Sequence, residues 1–335
     1  MRAAVLVEQN SPLQVMELEP QEIMEGQVLV RIEASGICGA QIGEITGAAG
    51  ADPYLPHMLG HEGCGRVMGV GGGVRKVEKG DRVVMHWRKG SGIDAVPARY
   101  KSSNKLNVGS GPIATFATSA IVSENRVTKI GHDIPADIGA LMGCAVTTGF
   151  GLINNEAKLK IGQSIAVAGV GGVGLNVIQG AKLVGAGRIV AIDIHDEKLE
   201  MAEEFGATKT VRSENKFWER PVDVFVDCTG NCLVIEQGLK MVKPGGKLIL
   251  VGQPYTGADI VFSNARQHYC GKTILDSQGG LTDPDKDINR YLQMYREGRF
   301  ELSKMITNRF QLDDINQAIA TMRTGKAGRC IVEMN

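Results

Sequence analysis

The sequence predicts an α/β protein in two parts: a β-rich, barrel-like domain, and a doubly wound parallel sheet with helices on both faces. Three observations carry this. Residues 1 to about 130 read as short strands separated by turns, with little helix. From about residue 147, strands and helical runs alternate, the pattern of a parallel sheet. The chain, at 335 residues, is too long for one ordinary core.

Taken in order, Met1–Glu8 opens as a strand, followed by strands at 27–33, 65–70 and 81–85. Gly71-Gly72-Gly73 and Lys79-Gly80-Asp81 supply turn chemistry between them. Residues from Arg88 to Pro112 are rich in Gly, Ser, Lys and Asn and show no period, so they read as a long surface lobe. In the second half, a helix follows Gly174 and a strand follows at 188–193. A short amphipathic helix over 197–205 and a strand at 223–227 come next. A helix over 235–241, stopped by Lys243-Pro244-Gly245-Gly246, leads to strands at 247–251 and 272–275. The tail returns to helices near 287–297 and 312–323 and a last strand at 329–333.

Composition narrows the functional classes. The 37 basic and 37 acidic residues balance, so no overall field attracts nucleic acid or an anionic membrane. No apolar run approaches the roughly 20 residues that span a bilayer, and the N-terminus turns polar too early for a signal peptide. Seven scattered cysteines, an odd number, do not suggest a disulfide framework. The expectation is a soluble cytoplasmic protein with a small-molecule partner, neither nucleic acid nor membrane.

Ser164–Gly174 reads strand, glycine turn, helix, and the strand 188–193 ends on Asp193. In Gly169-Val170-Gly171-Gly172-Val173-Gly174, the first glycine makes the tight turn. The second lets backbone approach a pyrophosphate, and the third lets helix pack on strand. Amides at the helix start face the phosphates, favoured by the helix dipole. An isolated glycine motif is weak evidence, but a strand before it, a helix after it and a trailing acid form its confirming context. Asp193 accepts hydrogen bonds from both ribose hydroxyls and repels a 2′-phosphate, which points to NAD over NADP.

Cys38 lies at the end of a strand-like run, His61 and Glu62 lie in Leu59-Gly60-His61-Glu62-Gly63, and Cys144 lies just before the pattern changes. Taken singly, each has a plain structural reading, since a lone Cys is often a small core residue and His61 fits a half-buried strand end. Together with Gly80-Asp81-Arg82-Val83-Val84, the glycine turn and the last strand, these segments resemble the zinc-dependent medium-chain dehydrogenase/reductase family, the alcohol and polyol dehydrogenases. The resemblance covers essentially the whole chain. It implies a GroES-like catalytic domain over 1–146, completed by 279–335, around a Rossmann domain at 147–278. It implies one catalytic zinc on Cys38, His61 and Cys144 with Glu62 close by. Two thiolates and an imidazole leave a tetrahedral position open for a substrate oxygen. It also implies that Thr148 borders the nicotinamide, that Arg329 contacts the pyrophosphate, that Trp87 lines the substrate pocket, and that chains pair as homodimers or homotetramers.

Two departures from the family pattern stand out. Residues 86–125 contain no Cys, where many members carry four that hold a structural zinc, so one metal per chain is expected. The usual Cys-x-Ser/Thr-Asp is here Cys38-Gly39-Ala40-Gln41. Ala40 removes the hydroxyl that passes the substrate proton outward, and Gln41 puts a neutral amide where a carboxylate orients the histidine. Gln41 is expected to accept a hydrogen bond through its amide oxygen, a weaker support than a carboxylate. Arg88 and Lys89 read either as an anion site or as two solvated charges. Cys64 reads as packing, Cys228 and Cys232 as bordering the adenine side, and His132 and His195 as surface residues.

The expected function is an NAD-dependent zinc alcohol dehydrogenase acting on a secondary alcohol, polyol or sugar-type substrate. A zinc-free quinone or enoyl reductase on the same fold is the first alternative, and retention of Cys38, His61 and Cys144 speaks against it. The second is a catalytically lapsed NAD-binding sensor or structural protein, which Ala40 and Gln41 keep open.

Overall fold

A computed structural model describes residues 1–213 and 220–334. The chain divides into two compact units. One comprises Met1–Ala145, Asp283–Gly298 and Leu302–Asn335, the other Val146–Thr282 and Arg299–Glu301.

The first unit is built on alternation. In the ten-residue strand Gln27–Gly36, Val28, Val30 and Ile32 point inward and are essentially without exposure. Burying each such side chain contributes about 1.5–3 kcal/mol. This strand is central to a seven-stranded sheet, flanked by Glu62–Val70, Ser119–Ser123 and, from the tail, Arg329–Glu333. A second layer closes as a barrel from Arg2–Leu6, Gln14–Pro20, Arg99–Ser102, Asn107–Gly109 and His57–Met58. The segment expected as a long surface lobe therefore supplies two barrel strands. Tyr100 and Val108 are buried in the core, and the Tyr100 hydroxyl accepts the Ile121 N–H at 2.8 Å. Strands of four and three residues are too short for a period of two to show in sequence.

The rest of the lobe is tied down by carboxylates. Glu124 is 2% exposed; its Oε1 accepts the N–H groups of Arg75 (2.6 Å) and Lys76 (2.9 Å), and its Oε2 that of Ile93 (2.7 Å). Asp285, from the C-terminal part of the chain, binds Lys76 Nζ and accepts the Ser91 N–H.

The second unit is a six-stranded parallel sheet. Its spatial order is Lys209–Arg212, Arg188–Asp193, Ser164–Ala168, Val222–Asp227, Val242–Leu250, Thr273–Asp276. In chain order this is 3-2-1-4-5-6, the doubly wound arrangement whose topological switch lies beside the first strand. Ser164–Ala168 is buried along its whole length, as an interior parallel strand must be. The strand order reverses there, and its carboxyl end carries Gly169. The Pro-Gly-Gly segment at 244–246, expected to end a helix, falls inside Val242–Leu250, where pairing with the neighbouring strand shifts register. Among the described residues, no single helix is long and apolar enough to cross a membrane.

Candidate active site and nucleotide turn

Three chain segments of the first unit converge on one point. Cys38 follows the strand Gln27–Gly36 and caps the helix Gly39–Thr46. His61 sits between His57–Met58 and Glu62–Val70, and Cys144 between the helices Ala136–Met142 and Ala145–Gly151. Their ligand atoms all lie within 4.8 Å of one another. Two glycines permit this closeness. A Cβ at Gly60, whose φ is +93°, would run into Thr115 and Phe116, and one at Gly143 into the Met85 carbonyl and Glu62.

The surroundings favour a thiolate. The Cys38 thiol is held well below its ordinary pKa, first by its hydrogen bond with Cys144, against the opposing effect of burial, and further by His61 and Arg329. Glu62 and Arg329 form an ion pair with both side chains essentially inaccessible. The Glu62 carbonyl accepts the Ser35 hydroxyl at 3.0 Å, which fixes the strand end beside His61. Removing one partner of a buried pair costs about 3–5 kcal/mol, because the other charge is stranded. Arg329, from which a pyrophosphate contact was expected, is thus engaged with Glu62 and lies in the electrostatic reach of Cys38.

Gln41 is oriented contrary to expectation. Its Oε1 accepts the Cys38 N–H at 3.0 Å, the reach-back arm of a capping box, and its Nε2 donates to His61 Nδ1 at 2.5 Å. His61 Nε2 is buried and has no hydrogen-bond partner among the described residues. Two sulfurs and an orphaned imidazole nitrogen at this spacing fit a zinc ion, which takes tetrahedral sulfur and nitrogen ligands. The sequence reading missed Glu44, although helical spacing exposes it: it lies four residues past Ala40, on the same helix face. It lies on the exposed side of the helix, and partial desolvation raises its carboxyl pKa against the pull of His61 and His57.

The Trp87 ring packs on the barrel core, with the Arg88 guanidinium 5.8 Å from its centroid, while Lys89 pairs with Asp94. Cys64 is fully buried, its thiol pushed up to about 11 by desolvation, and burial likewise raises Cys228. Cys64 reads as a packing thiol, whereas Cys228 is only partly buried. Thr148 is buried in the second unit, in the helix Ala145–Gly151.

In the second unit, the glycine turn has the form its sequence implies. Gly169 takes φ +84°, and a Cβ at Gly174 would land on the Gly169 carbonyl oxygen. A Cβ at Gly171 would meet nothing within 4 Å, a gap at the start of the helix Gly172–Leu183. No acid stands in the first turn of that helix to oppose a phosphate. Asp193 is tied to this turn: Oδ2 accepts the Val170 N–H (2.7 Å), and Oδ1 those of Ile194 (2.8 Å) and His195 (3.1 Å). A gap beside bare helix amides, with an acid at the next strand end, fits a dinucleotide.

A β domain with a sulfur–imidazole cluster, joined to a doubly wound sheet with a glycine turn, defines a metal-dependent dehydrogenase class. Comparisons with known proteins agree. The alcohol dehydrogenase GroES-like domain family matches residues 24–132, and the zinc-binding dehydrogenase family matches 172–297. S-(hydroxymethyl)glutathione dehydrogenase of Paracoccus denitrificans is 33% identical over 374 residues, and alcohol dehydrogenase class-3 of Cereibacter sphaeroides is 33% identical over 377. Each comparison spans 99% of both chains. Among solved structures, an alcohol dehydrogenase zinc-binding domain protein from Burkholderia ambifaria superposes with a TM-score of 0.90 at 26% identity, covering 100% of this chain and 98% of that one. Benzyl alcohol dehydrogenase from Acinetobacter calcoaceticus gives 0.89 at 26% identity, covering 100% and 99%. The chain belongs to the zinc-dependent alcohol dehydrogenases of the medium-chain family, with a GroES-like and a Rossmann-type domain.

Proposed function

We propose that this oxidoreductase uses NAD and a single catalytic zinc held by Cys38, His61 and Cys144. The observation that carries the reading is the convergence of these ligand atoms within 4.8 Å, with His61 Nε2 lacking a hydrogen-bond partner among the described residues. Bound there, zinc supplies Lewis acidity toward an alcohol or carbonyl oxygen, and NAD supplies hydride acceptance. The chain's residues set the conditions. Cys144, His61 and Arg329 favour the Cys38 thiolate, and Glu62 balances the Arg329 charge without entering water. We assign Arg329 to this role in place of the pyrophosphate contact. Gly171, Gly172, Val173 and Gly174 present helix amides to the pyrophosphate. Asp193, paired with no cation among the described residues, disfavours a 2′-phosphate. With no hydroxyl at Ala40, the proton leaves through Glu44, the carboxyl one turn further along the same face.

The substrate is a small alcohol or its carbonyl. The relatives add two primary alcohols, S-(hydroxymethyl)glutathione and benzyl alcohol, to the secondary alcohols and polyols expected from sequence. Thr273–Asp276 is an outer strand of the sheet with Ile274 exposed, which supports pairing of chains there into a homodimer or homotetramer. Seven cysteines with no disulfide among the described residues fit a reducing, cytoplasmic setting.

The test is NADH formation with these alcohols. Turnover that Cys38→Ser abolishes and Glu44→Gln slows without loss of zinc supports the assignment. Tight NADH binding without turnover of any of them would favour the lapsed-sensor reading.

A further inference from the structure

The side chain of Gln41 is 1% exposed and has one oxygen and one NH2 group, each committed to a different neighbour. The oxygen holds the Cys38 N–H. The nitrogen, which can only donate, points at His61 Nδ1. That nitrogen of the ring must therefore carry a lone pair, and in a neutral imidazole the proton then sits on Nε2. Nε2 is the nitrogen left over for a metal, and a metal-binding nitrogen must be bare.

We propose that Gln41 is a positioning residue that holds His61 in the tautomer opposed to metal binding, so that this site resists loading and releases its metal readily. The inference rests on the zinc reading of Cys38, His61 and Cys144. When the metal takes Nε2, the ring proton moves to Nδ1 and meets the Gln41 NH2 group donor to donor. Turning the amide over presents its oxygen to Nδ1–H, but then sets the NH2 group against the Cys38 N–H. Cys38 and His61 then offer two donors on opposite sides of an amide that has only one acceptor atom, its oxygen. A carboxylate at the same position has an oxygen for both. The conflict thus comes from the capping role of residue 41 together with its contact to His61, and neither contact alone would create it. A buried donor left facing a donor is the costly case of hydrogen bonding. The consequence for function is an enzyme whose activity follows the supply of its metal.

The test uses the full-length chain and two readouts. Long-range 1H–15N spectra of metal-free protein at pH about 8, above the ordinary histidine range near 6.5, report the ring tautomer, with His61→Asn identifying the signal. The Nε2–H form is expected in the wild type and the Nδ1–H form in Gln41→Glu. Zinc transfer to a chromogenic chelator should be slower in Gln41→Glu by about tenfold or more. Gln41→Met, which removes the opposing donor, should hold zinc at least as long as the wild type. An Nδ1–H tautomer in the metal-free wild type, or faster zinc loss from a folded Gln41→Met, overturns the proposal. If the wild type takes up no zinc that Cys38→Ser abolishes, the metal reading fails instead, while the tautomer still decides what Gln41 does to His61.

Discussion

Replacing Glu124 with Gln removes the carboxylate that pins the lobe between Arg88 and Pro112. Three part-buried backbone N–H groups converge on it, at 2.6, 2.7 and 2.9 Å. Hydrogen bonds to a charged group contribute about 1.5–3 kcal/mol each. An amide keeps one oxygen, so it retains the Arg75 and Lys76 pair or the Ile93 bond, and its NH2 group faces the abandoned donor. The loss is about 2–4 kcal/mol, one bond plus part of the cost of an unsatisfied N–H. Burial alone would raise the Glu124 carboxyl pKa, but the three backbone bonds outweigh it and lower it. With the folded pKa depressed, the stabilisation is fully present above the unfolded value of about 4.3 and fades as pH falls through the folded one. The gap between wild type and variant should therefore be widest at neutral pH and close in acid. Trypsin cleavage at Arg88, Lys89 and Arg99 reads local opening. At 1.4 kcal/mol per tenfold, it should accelerate roughly 30- to 700-fold. Equal protection of variant and wild type at neutral pH would show that Glu124 does not hold the lobe.

Further consequences can be measured independently. Gly171→Ala should fold with wild-type Tm, since its Cβ enters open space, yet lose NADH affinity in a fluorescence titration. Gly174→Ala should lower the Tm, because its Cβ collides with the Gly169 carbonyl. Asp223 opposes its own burial with bonds from Ser164 N–H (2.7 Å), Ser164 Oγ (2.6 Å) and Lys243 (3.0 Å), which bring its pKa down to about 2. Asp223→Asn should cost about 1–2 kcal/mol in urea unfolding at neutral pH, a difference lost as pH drops from about 4 to 2. In metal-free protein, iodoacetamide should label Cys38 ahead of Cys64, whose thiol is pushed up to about 11, with mass spectrometry locating the adduct. Equal labelling of the two would contradict the electrostatics described at the site.

The parts of the fold that repeat a period were legible in sequence. Ser164–Ala168, its glycine turn and Asp193 follow from apolar continuity, glycine spacing and a terminal acid, each visible within a short window. The barrel strands Arg99–Ser102 and Asn107–Gly109 were not, because three or four residues hold too few alternations, and their burial comes from distant partners. At the site, the residue types at 38, 61 and 144 were legible only as a set. The direction of the Gln41 amide was hidden, because it depends on the Cys38 N–H and the His61 ring competing for one side chain across 20 residues of sequence. The engagement of Arg329 with Glu62 was hidden for the same reason. That pair joins residues 267 positions apart (329 − 62), through the pairing of the last strand with Gln27–Gly36.

The measurement that bears most directly on the whole account is zinc per chain, by elemental analysis of protein gel-filtered in buffer of fixed free zinc, beside Cys38→Ser. One zinc per chain, lost in the variant, is the expected result. Zinc retained by Cys38→Ser, or none in a folded wild type that binds NADH and has been supplied with zinc, would contradict a catalytic metal at Cys38, His61 and Cys144.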